Sequence, residues 1–304
     1  MSRSPSNRLA IGIGTCDVAV GLCQSRAERL WTLLQRREVK ALSLGGLTAP
    51  LAIVSHRSVE TPSDRWYNEE GTLDTLRMAL AEVHSPSNLP VAGRRHHAAI
   101  VLDDFWVNHG VLRGDFRSMR KRDVEEVARA YFSDAFGLEG VSLAIAISVQ
   151  AGGDAVFASA MPRSLLTGIQ ETCAEAGIKV TCLSPRLPRL LDRTQRDMPD
   201  LPGMIVVVAD DLLQVAITDG SHWVAYDAQR LFPGETASDT RLADQARTMF
   251  ERWADESAST CAVFLSGNAV DTAPFERCFA KVHRMSGTDV TYASPALGLM
   301  GLAS

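Results

Sequence analysis

LAIGIGTCDVAVGL, residues 9–22, decides how the rest of the chain is read. Leu9, Ala10 and Ile11 form an apolar entry, Gly12, Gly14, Thr15, Cys16 and Asp17 a glycine-spaced turn, and Val18, Val20 and Leu22 an alternating exit. That pattern predicts two antiparallel strands joined by a tight loop. Glycines in such a loop are expected to bend the backbone through positive φ and to bring its N–H groups close to an anion. A working phosphate loop would make this a nucleotide-handling protein. A loop that keeps only the shape would make it a scaffold.

The same pattern returns at GMIVVVADDLLQVAITDGSHWVAYDAQRLF, residues 203–232: an apolar strand, a turn at 209–211, an alternating strand, an Asp219-Gly220 hairpin turn and a third strand. In the first half the third strand is LAIVSHRSVE, residues 51–60, while 26–44 fits either a short helix or strands. A helix with Thr72 as N-cap and Leu73, Leu76, Leu80 and Val83 along one face follows, then a loop at 85–93. Next come a buried-type strand at 98–102, a turn at Asp103 and Asp104, and a strand around Trp106 and Val107. Beyond the charged stretch 115–121, Val124, Val127, Ala128, Tyr131, Phe132 and Ala135 form the stripe of an amphipathic helix stopped by Gly137. A hairpin turning at 151–154 leads to a helix after Pro162 with Leu165, Leu166, Ile169 and Cys173 inward, ended by Gly177. KVTCLSP is a further strand, Leu187, Leu190 and Leu191 mark a short helix, and the polar stretch 192–202 is the expected lobe boundary. The second half continues with a helix through Leu242, Ala246, Met249, Phe250 and Trp253, and a strand running into a small-residue turn at 266–269. It closes with a helix through Phe275, Cys278 and Phe279, a strand near Val290 and a helix opened by Ser294 and Pro295.

Bulk properties narrow the function classes. A chain of 304 residues holds two domains of ordinary size, and 46% apolar with 22% charged residues supports a sizeable core. A net charge of −5 argues against nucleic acid as a partner. The six cysteines have no C-x-x-C or zinc-finger spacing, so buried reduced thiols in a cytoplasmic protein are expected. MSRSPSNR is not of signal-peptide form and no apolar run approaches the ~20 residues of a membrane span, so no direct membrane insertion is expected. His96, His97, Asp103, Asp104 and His109 suggest a metal site on paper. The histidine pair and the acidic pair fall at opposite ends of one strand at ~3.3 Å per residue, so no metal site is expected.

These motifs resemble those of the actin-like ATPase superfamily, and more narrowly its PilM-like and GspL-like cytoplasmic branch, over nearly the whole chain. IGIGTCDVAV is similar to that family's first phosphate loop, VVVADDLLQVAI to the second, LSGNA to the adenosine-side turn, and SPALGLMGLAS to the closing helix. The block containing ASAMPRSLLTGIQETCAEAGIKV resembles the branch's inserted subdomain. The resemblance implies an α/β fold of duplicated, ribonuclease H-like type: two lobes around a central cleft with an inserted small α/β subdomain. The lobes are expected at 8–200, including an insert at about 110–183, and at 201–304. Carried over position by position, the cofactor-binding set would be Gly12, Gly14, Thr15, Asp17, Asp210, Asp211, Ser266, Gly267 and Asn268.

Departures from the family pattern shape the functional expectation. Gly12 stands where an active member has the aspartate that serves the metal and the attacking water, and Asp17 lies five residues on. Ala209, Asp210, Asp211 and Leu212 offer no glycine in the second loop, and Asn268 replaces a second glycine in the third turn. Two carboxylates facing a polyphosphate repel it unless a metal lies between. The expectation is a scaffold without catalytic residues, with no cofactor or with weakly bound ATP and Mg. It would sit at the cytoplasmic face of a type IV pilus or type II secretion-like inner-membrane assembly, peripheral to the membrane through a partner. It would capture the cytoplasmic tail of a single-span membrane protein, and self-association is compatible with it. The groove would be lined by residues 98–102, the helix at 124–132 and Trp106. The alternatives are an active Mg-ATP-dependent ATPase or small-molecule kinase of the same superfold, with Thr15, Asp17, Asp210 and Asp211 sharing the metal and charge duties, and an unrelated two-domain α/β binding module.

Overall fold

A computed structural model describes residues 8–23, 53–83, 96–138, 141–197, 202–209, 211–232, 238–253, 258–267, 270–285 and 293–303. In chain order these contain β1 (Arg8–Ile13), β2 (Asp17–Cys23), β3 (Ile53–Glu60), α1 (Glu69–Val83), β4 (His96–Leu102), β5 (Asn108–Arg113), α2 (Lys121–Phe136), β6 (Leu143–Val149), β7 (Ala155–Pro162) and α3 (Arg163–Glu175). Then follow β8 (Ile178–Pro185), α4 (Arg186–Asp197), β9 (Gly203–Val208), β10 (Leu212–Thr218), β11 (Trp223–Arg230), α5 (Asp239–Trp253), β12 (Ala262–Ser266), α6 (Ala273–Cys278), β13 (Lys281–Arg284) and α7 (Pro295–Ala303). The chain divides into two compact units: Met1–Asp103 with Ser164–Arg189 and Ala293–Ser304, and Asp104–Arg163 with Leu190–Tyr292.

The first unit is built on a five-stranded sheet ordered β3-β2-β1-β4-β8. β1 and β2 pair antiparallel from Arg8↔Cys23 to Ile13↔Val18, so the hairpin expected at 9–22 is present, while β4 runs parallel to β1 and β8 parallel to β4. Side chains alternate between faces along a strand. Leu9, Ile11 and Ile13 therefore share one face of β1, and Ala10 and Gly12 the other. α7 covers the small-residue face, in one buried cluster with Ala10, Ala19, Ala99 and Val101. α1 packs against β2 and β3, and Gly168 of α3 lets Leu73 of α1 press close. α1 starts before the expected Thr72: the Asn68 side chain accepts from Glu70 N (2.8 Å) and Gly71 N (3.2 Å), leaving Thr72 buried in the first turn.

The second unit repeats the plan with a sheet ordered β11-β10-β9-β12-β13, again an antiparallel meander followed by two parallel strands. Its core joins Met204, Val206, Val208, Leu213, Val215 and Ile217 to Leu242, Ala246, Met249 and Phe250 of α5 and Phe275 of α6. Between β4 and α3 the first repeat carries an insert: a three-stranded antiparallel sheet ordered β5-β7-β6, covered by Val124, Ala128 and Phe132 of α2. The insert is fastened to the edge strand β11. Gln150 accepts from Trp223 N (2.6 Å) and donates to Trp223 O (2.8 Å), and Arg113 donates to Val224 O (2.9 Å).

Several local readings change. Trp106 lies in a 3-10 turn at Asp104–Trp106 rather than in a strand, because its buried ring and Asp104 are drawn inward before β5 begins. α4 runs on to Asp197 through the expected polar break. Trp253 ends α5 on its solvent side, 53% exposed, since five other residues already fill the inward stripe. β13 was not legible in the sequence. The readings at 26–44, at 85–93 and near Val290 lie outside the described residues.

Candidate functional site

Gly12 and Gly14 do not work as expected. Among the described residues the positive-φ glycines are Gly137, Gly152, Gly153, Gly177 and Gly220, so neither glycine of the first loop bends the backbone that way. Gly12 lies inside β1, and its constraint is close approach. A Cβ there would stand 2.5 Å from Met300 N and closer still to Ala296 O, both backbone atoms of α7. The turn proper is Gly14-Thr15-Cys16, closed by Gly14 N donating to Asp17 O (2.9 Å) and tied to the next loop by Thr61 N donating to Cys16 O (2.8 Å).

Asp17 is 2% exposed, and its carboxylate faces α7. Ala296 N donates to Oδ1 at 3.3 Å and to Oδ2 at 3.2 Å, and Leu297 N donates to Ser294 Oγ at 3.4 Å. Pro295 has no N–H to satisfy, so the expected Ser294-Pro295 start is present, completed by a carboxylate from across the sheet. A negative charge at a helix N-terminus is stabilising. The space beside Gly12, where the resemblance would put a metal-serving aspartate, is thus filled by helix backbone, and both oxygens of the nearest carboxylate share the Ala296 N–H of that helix. These residues do not fit a metal-bound nucleotide in this loop. The signal in the sequence was the small alternate positions Ala10, Gly12, Ala19 and Gly21, where a helix can approach.

In the second unit Ala209 N donates to Leu212 O at 2.9 Å, closing the turn as Gly14 and Asp17 do in the first. The pairs Ile13↔Val18 and Val208↔Leu213 end the two hairpins, so Gly12 corresponds to Val207 and Ala19 to Gln214. Val207 is fully buried and offers no ligand atom. Asp211 is partly exposed, and its carbonyl accepts from Leu231 N at 3.0 Å. Ser266 is fully buried, its hydroxyl without a hydrogen-bond partner among the described residues. Gly267 is held close to Val208: a Cβ would meet Val270 Cγ2 at 2.9 Å and Val208 Cβ at 3.0 Å. Gly12, Gly14 and Asp17 come together around α7, the Thr15 carbonyl accepts from Tyr67 N at 3.4 Å, and Gly267 lies against the end of β9. Asp210 and Asn268 lie outside the described residues.

The polar cluster that the sequence reading did not assemble lies on the Gln214 face of the second sheet. Tyr226 donates to Gln214 Oε1 (3.4 Å), Gln214 Nε2 to Asp104 Oδ2 (3.0 Å), His109 Nε2 lies 3.0 Å from Asp104 Oδ1, and His109 Nδ1 lies 2.8 Å from Ser159 Oγ. Asp104, His109 and Gln214 are at most 2% exposed. Burial, with the charges of Asp104 and Asp227, pushes the Tyr226 hydroxyl well above its ordinary range. Asp104, His109 and Ser159 are the residue types of a hydrolytic triad, but all three are buried, Ser159 least so at 8% exposed. The chain of bonds instead satisfies buried polar groups where the insert meets the second sheet. Among the described residues no group of three or more His, Cys, Asp or Glu is placed to hold a metal. The expected groove lining also changes: residues 98–102 are fully buried between β1 and β8, and Trp106 is 7% exposed, so neither lines an open groove.

No family model and no curated protein sequence matches this chain. Among solved structures, a protein from Bacteroides thetaiotaomicron with an actin-like ATPase fold and unknown function is similar over 98% of this chain and 95% of its own, with TM-score 0.58 and 10% identity. The chain has the actin-like ATPase fold. The PilM–PilN type IV pilus biogenesis complex includes a chain similar to it over 99% of this chain and 98% of its own, with TM-score 0.61 and 13% identity. The cytoplasmic domain of EpsL, an inner-membrane component of the type II secretion system of Vibrio cholerae, matches with TM-score 0.47 and 9% identity over 98% of this chain and 93% of its own. Among the described residues no helix is long and apolar enough to cross a membrane.

Proposed function

We propose that this protein is a non-enzymatic scaffold of a type IV pilus or type II secretion-like assembly, cytoplasmic and held at the inner membrane by the tail of a single-span partner. The carrying observation is the capture of Asp17 by α7: the first loop spends its carboxylate on closing the fold, not on a metal. The likeness to a chain of the PilM–PilN complex supports the choice of machine, and the insert is the natural place for a partner, having no counterpart in the second repeat among the described residues. We read residues 8–200 and 201–304 as the two repeats, a division by descent, distinct from the compact units.

Two experiments test this reading. Calorimetric titration of the full chain with Mg-ATP is expected to give no heat at millimolar nucleotide, and micromolar binding lost in Asp211→Ala would sink it in favour of an ATPase. Pull-down from native membranes is expected to recover a single-span protein with a short cytoplasmic tail. Recovery of soluble enzymes alone would count against the scaffold.

A further inference from the structure

An edge strand presents a row of backbone donors and acceptors, and soluble proteins blunt it with charge, proline or cover. Among the described residues the three sheets have six edges, β3, β8, β11, β13, β5 and β6. Five carry charged side chains: Arg57 and Glu60 in β3, Lys179 in β8, Asp227 and Arg230 in β11, Lys281 and Arg284 in β13, and Arg113 in β5. β6, LAIAISV, carries none and has no proline.

The bonds at the two ends of the β6–β7 ladder, Gln150 N to Ala155 O (3.0 Å) and Arg163 N to Ser142 O (2.8 Å), fix its phase. Partners alternate along an antiparallel pair, so Ala144, Ala146 and Ser148 bond to β7. Leu143, Ile145, Ile147 and Val149 turn their backbone groups to the open side. Leu143 O is taken there by Arg129 (3.3 Å) and Arg163 (3.0 Å). Among the described residues no bond reaches that side at Ile145, Ile147 or Val149, and Val149 is 47% exposed.

We propose that β6 receives an added strand from a partner polypeptide: an extended, β-branched, uncharged segment with a carboxylate at the end beside Leu143. Alternate backbone groups would supply the bonds, and the guanidiniums of Arg163 and of Arg129, the latter also paired with Glu126 at 3.7 Å, the charge preference. A second copy of β6 paired antiparallel would bring Val149 and then Gln150, Ala151 and Gly152 to that end, which offer the arginines no carboxylate. The inference rests on the scaffold reading only for the partner's origin.

The probe is a fluorescein-labelled Thr-Val-Thr-Val-Thr-Val-Asp peptide titrated into the full chain and followed by anisotropy. Saturable binding is expected, weakened at least tenfold when aspartate is replaced by lysine. N-methylation of one alternate set of peptide amides should abolish binding, and of the other set leave it intact. Ile147→Pro removes an N–H that the β6–β7 ladder does not use, and should weaken binding at least tenfold with an unchanged circular dichroism spectrum. If that variant misfolds, the methylated probes still decide on the unaltered protein. Equal binding of both methylated probes overturns the proposal, as does dimerisation of the chain that Ile147→Pro abolishes. Recovery of a membrane partner by a chain that ignores the peptides overturns strand addition alone. Peptide binding with no membrane partner recovered overturns the scaffold reading alone.

Discussion

Gly12→Ala tests the reading of the first loop. Alanine is better suited than glycine to a strand interior, so backbone propensity by itself predicts stabilisation of about 0.5–1 kcal/mol. The structure predicts the opposite sign. The new Cβ would sit 2.5 Å from Met300 N, against the 3.4–4 Å of ordinary contact, and the obstacle is helix backbone that cannot rotate away. α7 must therefore shift by on the order of 1 Å. Overpacking of this kind costs about 1–3 kcal/mol. Full undocking of Leu299 and Met300, each at ~1.5–3 kcal/mol, sets the ceiling. We expect a loss of about 2–4 kcal/mol, read as a urea midpoint lowered by roughly 1–2 M, together with faster amide exchange at Leu299 and Met300. Gly12→Asp should cost more, because it adds a buried carboxylate to the same clash. A Gly12→Ala protein as stable as the parent, with α7 equally protected, would refute the close-approach argument.

Three further outcomes follow from named contacts. Asp17→Asn keeps the shape but removes the charge at the start of α7, and should cost about 0.5–2 kcal/mol by chemical denaturation, with Ser294→Ala adding to it. His109→Leu breaks the chain between Asp104 and Ser159 inside the second unit and should destabilise by about 2–4 kcal/mol; a double-mutant cycle with Ser159→Ala should show coupling, and strict additivity would contradict the network. Cys173 is pushed up by burial to about 11 from 9.0. Its raised value leaves stability intact below about pH 9 and removes on the order of 2–3 kcal/mol as pH rises to about 11. Cys173→Ala should flatten that limb of a stability–pH curve.

Much of the fold was legible because its signals are local. The hairpin at 9–22, the meander at 203–232, the amphipathic stripe of α2 and the Ser294-Pro295 start of α7 each depend on residues close in sequence. The misread elements were decided elsewhere. Asn68 takes the cap of α1 by accepting from both Glu70 N and Gly71 N. Trp106 left strand geometry to be buried. Residues 98–102 look like any apolar strand until β1 and β8 close over both edges. Asp104, His109, Ser159, Gln214 and Tyr226 span more than a hundred residues, and no spacing rule could have joined them.

Residues 9–22 carry both lessons. By itself the sequence determined the hairpin, its repeat in the second half and the absence of an aspartate at position 12, because alternation and turn chemistry act within a few residues. Only tertiary structure decided what Gly12 and Asp17 are for. Both answer to α7, nearly three hundred residues away, whose backbone needs the space of a missing Cβ and whose first N–H, that of Ala296, donates to the carboxylate.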